Sequence, residues 1–321
     1  MDDPRAAVHS LVRRSLGPAQ PVKAVPGYVA KSMRPEDAFR ATLSDCLAQI
    51  TANAATSRPQ ESKEVRSMEG LHQLRVAFRR LEVALGAFGD EFGQDWLEEL
   101  RGRAKILAGR LAPARDLDVF VGKLLADKSG VSDGLVQLRA RAEAARDIAW
   151  AAAQSCICGP DFELFADDVA SLASSQLPLT RDQRLPRTAR RMLDRQVRRV
   201  KKRGRTAASR EEGDMHRLRI ALKKLRYTAE FFAPLYPKRD VARYLKTLRI
   251  LQTRLGDLND VANVRRVVGE LLRDKSRKDD EGAMRYAAGA LVGWYGAQVP
   301  GAIKQALKRY KTFKRVTPFW R

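Results

Sequence analysis

The chain is poor in aromatics, in cysteine, in histidine and, above all, in acid. Aromatic residues make up 7% of its 321 residues, and no long alternation of Val, Ile or Thr with polar residues appears, so a sheet-built core has little to draw on. Cysteine occurs three times, at Cys46, Cys156 and Cys158; an odd number, with two of them two positions apart, gives neither a disulfide framework nor a zinc spacing and predicts reduced thiols in the cytoplasm. No apolar run approaches the ~18 residues that a membrane span needs. The start, MDDPRAAVHSLVRRSLG, lacks the apolar stretch of a secretory signal. No P-loop, no Ser/His/Asp arrangement and no dense acidic or His/Asp metal cluster is visible, so catalytic residues, metal and cofactor are not expected.

What is present is Ala, Leu and Arg, with 44% hydrophobic and 31% charged residues, a balance that suits a folded all-α protein. Lys and Arg number 61 against 38 Asp and Glu, a net charge of +23. A genome that prefers Arg codons explains Arg in place of Lys, but not the excess of base over acid. Such an excess implies a polyanionic partner: nucleic acid, an anionic membrane surface or inorganic polyphosphate.

Residues 1–34 carry Pro4, Pro18, Pro21 and Pro26 without periodicity and read as an N-terminal tail or arm. Helical patterns follow at about 36–56, 64–89, 93–127, 132–155 and 161–175, then, beyond a break at Gln176-Leu177-Pro178, at about 182–203, 212–235, 239–274, 279–298 and 301–315. The order of long and short segments is similar on both sides, which divides the chain into halves at 35–176 and 177–321, the second ending in a basic tail.

An offset of 144 residues carries His72 onto His216 and much else with it. Leu74 meets Leu218, Arg75 meets Arg219, Arg79 and Arg80 meet Lys223 and Lys224, and Phe88 meets Phe232. The register continues through Lys105 on Arg249, Arg110 on Arg254, Asp116 on Asp260 and Trp150 on Trp294. One register over about 80 residues predicts two similar helical bundles packed about a pseudo-two-fold axis.

At 100° per residue from His72, Leu74, Phe78, Leu81, Leu85 and Phe88 fall between about 160° and 240°, a core stripe. His72, Arg75 and Arg79 fall between about 300° and 360°, with Arg80 at about 80°. In the second copy His216, Arg219 and Lys223 form the same edge, joined by Lys224 and Arg226. A solvated helix face is the ordinary reading of such an edge. Its repetition in register, and the neighbours Val76, Val83, Ile220 and Tyr227 beside it, favour a partly buried edge that needs an anion to offset repulsion. Arginine suits phosphate oxygens, which its planar fork grips bidentately.

A second repeated segment pairs LAGRLAPARDLDVF (107–120) with LQTRLGDLNDVANV (251–264). Pro113 and Gly256 are expected to kink or loosen a long helix, and Asp116 and Asp260 to cap the restarted turn or pair with a motif arginine; a catalytic or metal role is the weaker alternative. The histidines read as partners of phosphate or as core and capping residues, with a metal role weak for want of further ligands at a suitable spacing.

HQLRVAFRRLEVALGAF, HRLRIALKKLRYTAEFF, RDLDV and LKTLRILQTRLGDLND together resemble the CHAD family, the conserved histidine α-helical domain, over about 36–315. The resemblance implies an all-α fold of two similar antiparallel four-helix-bundle-like halves around a basic central pore or groove, binding of inorganic polyphosphate, and location on polyphosphate granules, with phosphate or sulfate able to occupy the site in crystals. Carried over by residue, it implies a polyphosphate site of His72, Arg75, Arg79, Arg80, Lys105 and Arg110 in the first half. In the second half it implies His216, Arg219, Lys223, Lys224, Arg226, Lys246, Arg249 and Arg254. Glu82 stands opposite Arg226 and Asn259 opposite Arg115, so the two copies are not equally basic. Some members of the family carry a fused triphosphate tunnel metalloenzyme domain; the short N-terminal arm and the lack of an ExExK pattern lead to the expectation of a binder, not an enzyme. Nucleic-acid binding is the alternative, supported by RRVKKRGR (198–205) and by KRYKTFKRVTPFWR (308–321), where aromatics alternate with basic residues.

Overall fold

Proline and acid mark the helix starts. The structure, a computed structural model, describes residues 20–24, 28–59, 66–92, 95–126, 132–177, 184–273 and 281–321, and no strand occurs among them. The helices are α1 (Pro35–Ser57), α2 (Met68–Phe92), α3 (Asp95–Arg110), α4 (Ala112–Val119), α5 (Asp133–Cys158), α6 (Pro160–Ser174), α7 (Leu185–Thr206), α8 (Glu212–Phe231), α9 (Lys238–Arg273), α10 (Glu281–Ala297) and α11 (Val299–Lys314). Pro35 and Pro160 open α1 and α6, where the missing N–H costs nothing, and Glu36, Asp37, Asp161 and Glu163 fill their first turns, facing the positive end of the helix dipole. The all-α expectation is met. Pro4, His9, Pro18, Pro26 and Pro178 lie outside the described residues.

The described residues form two compact units. Unit 1 takes 20–24, 28, 34–115 and 150–177; unit 2 takes 29–33, 116–149 and 184–321. In unit 1, α1 and α2 are antiparallel. Phe39 stacks on Phe88 at 4.8 Å between ring centroids, and at the other end a Cβ on Gly70 would come within 2.1 Å of the Thr56 hydroxyl oxygen. α3 and α6 are also antiparallel, joined by Arg110–Asp161 at 2.7 Å and by Arg103–Asp168. α6 closes on α1 where Arg40 donates to the Ser175 carbonyl at 3.0 Å. Between these helices Phe39, Leu43, Ile50, Leu71, Leu74, Phe78, Phe88, Phe165 and Trp150 are buried. Each large apolar side chain so removed from water contributes about 1.5–3 kcal/mol. The arm is fastened here: the Asn53 side chain accepts from Val22 N–H and donates to Val22 C=O, both at 2.9 Å.

In unit 2, α8 and α9 are antiparallel, with Glu230 near Arg249 at one end and His216 beside Asn259 at the other. α11 and the chain end pack on α9, where Tyr244 meets Phe313, Phe319 and Trp320 at 5.6, 5.6 and 5.1 Å between centroids. A further cluster joins 117–125 and α5 to the ends of α9 and α10 through Phe120, Leu124, Leu138, Val264, Val268 and Met284.

Pro113 and Gly256 behave differently. α3 ends at Arg110 and α4 restarts at Ala112 around Pro113, whereas α9 runs unbroken from Lys238 to Arg273 through Gly256. Proline removes a donor and clashes with the preceding turn; glycine only lowers propensity by about 1 kcal/mol, which burial of Leu251, Leu255 and Val261 on the same helix outweighs. The chain then widens into one π-turn, in which Leu125 N–H donates to the Phe120 carbonyl at 2.9 Å. Asp116 and Asp260 do not engage the motif arginines. Arg266 donates to Asp116 at 2.8 Å and Lys123 to Asp260 at 2.5 Å, so each repeated acid takes a cation from the other repeat.

Candidate polyanion-binding surface

In unit 1 the core stripe of α2 turns its Leu and Phe side chains inward, which leaves His72, Arg75 and Arg79 half-buried along one edge. Arg80 is placed differently. It is 4% exposed and directed at α1, where its guanidinium donates to the Cys46 thiol and lies near Asp45. Burial pushes the Cys46 thiol up to about 11, with the Arg80 charge and hydrogen bond opposing it. Burial likewise raises Asp45, and the Arg80 charge opposes that too. Lys105 and Arg110 on α3 are exposed, and Arg110 is held by Asp161 of α6. Burial raises the nearby Cys156 thiol, against the hydrogen bond from Arg110.

In unit 2 the matching edge of α8 has His216 exposed and Arg219, Lys223, Lys224 and Arg226 half-buried. His216 and Arg219 line a small cavity of about 40 Å³ with Glu212, Leu258, Asn259 and Ile303. That volume is of the order of one water molecule. Further along, Glu230 draws two of the expected cations together: Arg226 at 3.3 Å, which also lies over the Tyr227 ring at 4.6 Å, and Arg249 at 4.0 Å. Lys246 is exposed, and Arg254 is 3.7 Å from Asp257. Just before the motif, Asp214 is held below the ordinary carboxylate range by hydrogen bonds from Arg217 and Ser209.

The expected residues thus fall into groups. His72, Arg75 and Arg79 share one half-buried edge, and Arg219, Lys223 and Arg226 share another, with His216 exposed at its start. Arg80 lies beneath the first, and Arg110, Arg226, Arg249 and Arg254 each have a carboxylate close by. Asn259, which sequence reasoning set aside as the odd partner of Arg115, closes the cavity beside His216. Glu230 and Asp161 were also missed: the four-residue step from Arg226 to Glu230 could have announced that pair, whereas Arg249, near Glu230, and Arg110, paired with Asp161, lie on other helices, where no spacing along the chain points to them. Among the described residues no group of three His, Cys, Asp or Glu is placed to hold a metal ion, and no helix is long and apolar enough to cross a membrane.

These edges belong to a recognised architecture. The CHAD domain model matches residues 41–268, and the chain belongs to that family. Among solved structures, the chain is similar to a CHAD domain from the plant Ricinus communis, with 25% identity, a TM-score of 0.76, and 90% of this chain and 96% of that one covered. It also resembles PptA from Streptomyces chartreusis in fold, with 20% identity, a TM-score of 0.66, and 87% of this chain and 99% of that one covered. No curated protein matches the sequence.

Proposed function

We propose that this chain binds inorganic polyphosphate through the basic edges of α2 and α8, without turning it over, and that this binding places it on polyphosphate granules. The observation that carries the reading is the recurrence of one edge, His-x-x-Arg-x-x-x-(Arg/Lys), with its Arg and Lys side chains half-buried, in both compact units and inside the region of family membership. A half-buried guanidinium keeps its charge and loses competing water, so a phosphate chain gains more there than on a fully solvated lysine. Polyphosphate has no bases and needs no stacking platform, and the aromatic beside the edge, Tyr227, is 3% exposed and already covered by Arg226.

Changing Arg75, Arg79, Arg219 and Lys223 together to Ala is expected to abolish polyphosphate binding at these two edges, seen as a large loss of overall affinity, while circular dichroism shows the helices intact. A variant confined to exposed positions, Lys105→Gln with Lys246→Gln, is expected to weaken binding and to flatten the slope of log affinity against log salt by about 1.4, two contacts at ~0.7 each. Unchanged affinity in both variants overturns the assignment. Release of phosphate in the presence of Mg²⁺ or Mn²⁺ overturns the non-enzymatic part of it. Single-stranded nucleic acid is the second reading, favoured by the exposed basic residues of α7 and of the chain end. It is weakened by burial of the tail aromatics Tyr310, Phe313, Phe319 and Trp320, each 8% exposed or less, which serve the core of unit 2 and offer no ring to a base.

A further inference from the structure

The two basic stretches that the family motif does not use come together within unit 2. α7 carries ten basic residues and one acidic, α11 five basic and none acidic. They meet at position 204, which is glycine: a Cβ there would come within 2.0 Å of the Tyr310 ring. The Tyr310 ring, 5% exposed, fills that contact and is also approached by Lys314. What remains outside is an open groove of about 1220 Å³. Lys201, Arg205 and Arg210 form one wall; Lys304, Lys308, Lys311, Lys314 and Arg315 form the other. No carboxylate lines it, and among the described residues none of these cations makes an ion pair.

Each wall has a bland explanation, since basic side chains near a helix C-terminus complement the helix dipole. That explanation does not require both walls to face one space with no acid between them, an arrangement of like charges that repel until an anion enters. Nor does it account for Arg210, which holds φ 65°, a left-handed conformation that favours glycine, and so sets a guanidinium at the rim where the chain turns from α7 to α8. The chemistry of the occupant follows from the lining. The groove offers cations and the side of Leu307, but its aromatic ring is buried, so it suits a base-free chain of phosphates better than a nucleic acid.

We infer that the α7–α11 groove is a second binding site for a linear phosphate polyanion, separate in its residues from the edges of α2 and α8. This rests on the polyphosphate reading of the motif. The test uses the full chain in three forms: wild type; the groove variant Lys201→Gln, Arg205→Gln, Lys308→Gln and Lys311→Gln; and the motif variant Arg75→Ala, Arg79→Ala, Arg219→Ala and Lys223→Ala. Calorimetric titration with a short linear polyphosphate is expected to show two classes of site in wild type. The groove variant loses one class, and its salt slope flattens by about 3, four contacts at ~0.7 each; the motif variant keeps the groove class. With no ligand, the groove variant melts no lower than wild type at low salt, because it relieves repulsion. Equal stoichiometry and salt slope in wild type and groove variant overturn the inference and leave the motif reading standing. So does a groove variant that melts lower and binds normally, the dipole explanation, and so does a groove that takes RNA at equal phosphate concentration and refuses polyphosphate. Absence of any polyphosphate binding by wild type fails the motif reading, and the groove inference with it.

Discussion

Arg79 and Arg80 are neighbours in the chain, and their substitution separates binding from folding. Arg80→Ala removes a side chain that is 4% exposed. Two buried methylenes beyond Cβ contribute about 1.6 kcal/mol at ~0.8 each. The Cys46 thiol loses its hydrogen-bond donor and Asp45 its nearest opposing charge, which adds about 1–2 kcal/mol, at the low end because Asp45 keeps contact with water. The total is about 3 kcal/mol. For a protein of this size each kcal/mol moves the melting temperature by about 2–4 °C, so Arg80→Ala melts about 6–12 °C lower. Arg79 is half-buried on the proposed binding edge, and Arg79→Ala is expected to shift the melting temperature by less than about 2 °C while weakening polyphosphate binding. The assay is a thermal melt of each variant beside a binding isotherm taken well below both transitions. An Arg80→Ala protein that melts like wild type and loses as much affinity as Arg79→Ala refutes the placement of Arg80 beneath the edge.

Arg210→Gly relieves the left-handed backbone at φ 65° and is expected to raise stability by about 1 kcal/mol in urea unfolding; a loss of stability contradicts it. Gly204→Ala, whose new methyl meets the Tyr310 ring, is expected to cost about 1–3 kcal/mol, whereas Gly109→Ala in the open face of α3 gains about 0.5–1 kcal/mol; the order of their urea midpoints checks both. Cys46 is a neutral buried thiol with its folded pKa pushed up to about 11. Its stabilising contribution is therefore complete below the unfolded thiol value and is lost as pH rises through the folded one. Wild type should lose more stability than Cys46→Ala between about pH 8 and about pH 10.5, and in the native protein an alkylating reagent should label exposed Cys158 first and Cys46 last.

Much of this architecture is legible in the sequence because the helices are amphipathic. The stripe Leu74, Phe78, Leu81, Leu85, Phe88 predicts the buried face of α2, and each of those residues is 1% exposed or less. Local pattern fails where a third body decides. Arg80 sits at about 80° on the wheel, neither core nor edge, and α1 settles its place by presenting Asp45 and Cys46. Trp150 and Trp294 are equivalent in the repeat, yet Trp150 is 1% and Trp294 52% exposed, since a shared register does not guarantee a shared neighbour. The tail KRYKTFKRVTPFWR reads as aromatic–basic interleaving along the chain. In space its aromatics go to Tyr244 and Gly204 while its lysines face the groove, a separation that helical geometry produces and composition conceals.

The central claim is tested most directly by competition. Wild-type protein bound to labelled long-chain polyphosphate is challenged with single-stranded RNA at equal phosphate concentration and matched salt. A protein built to hold a base-free phosphate chain retains polyphosphate; displacement of the polyphosphate by RNA contradicts the assignment.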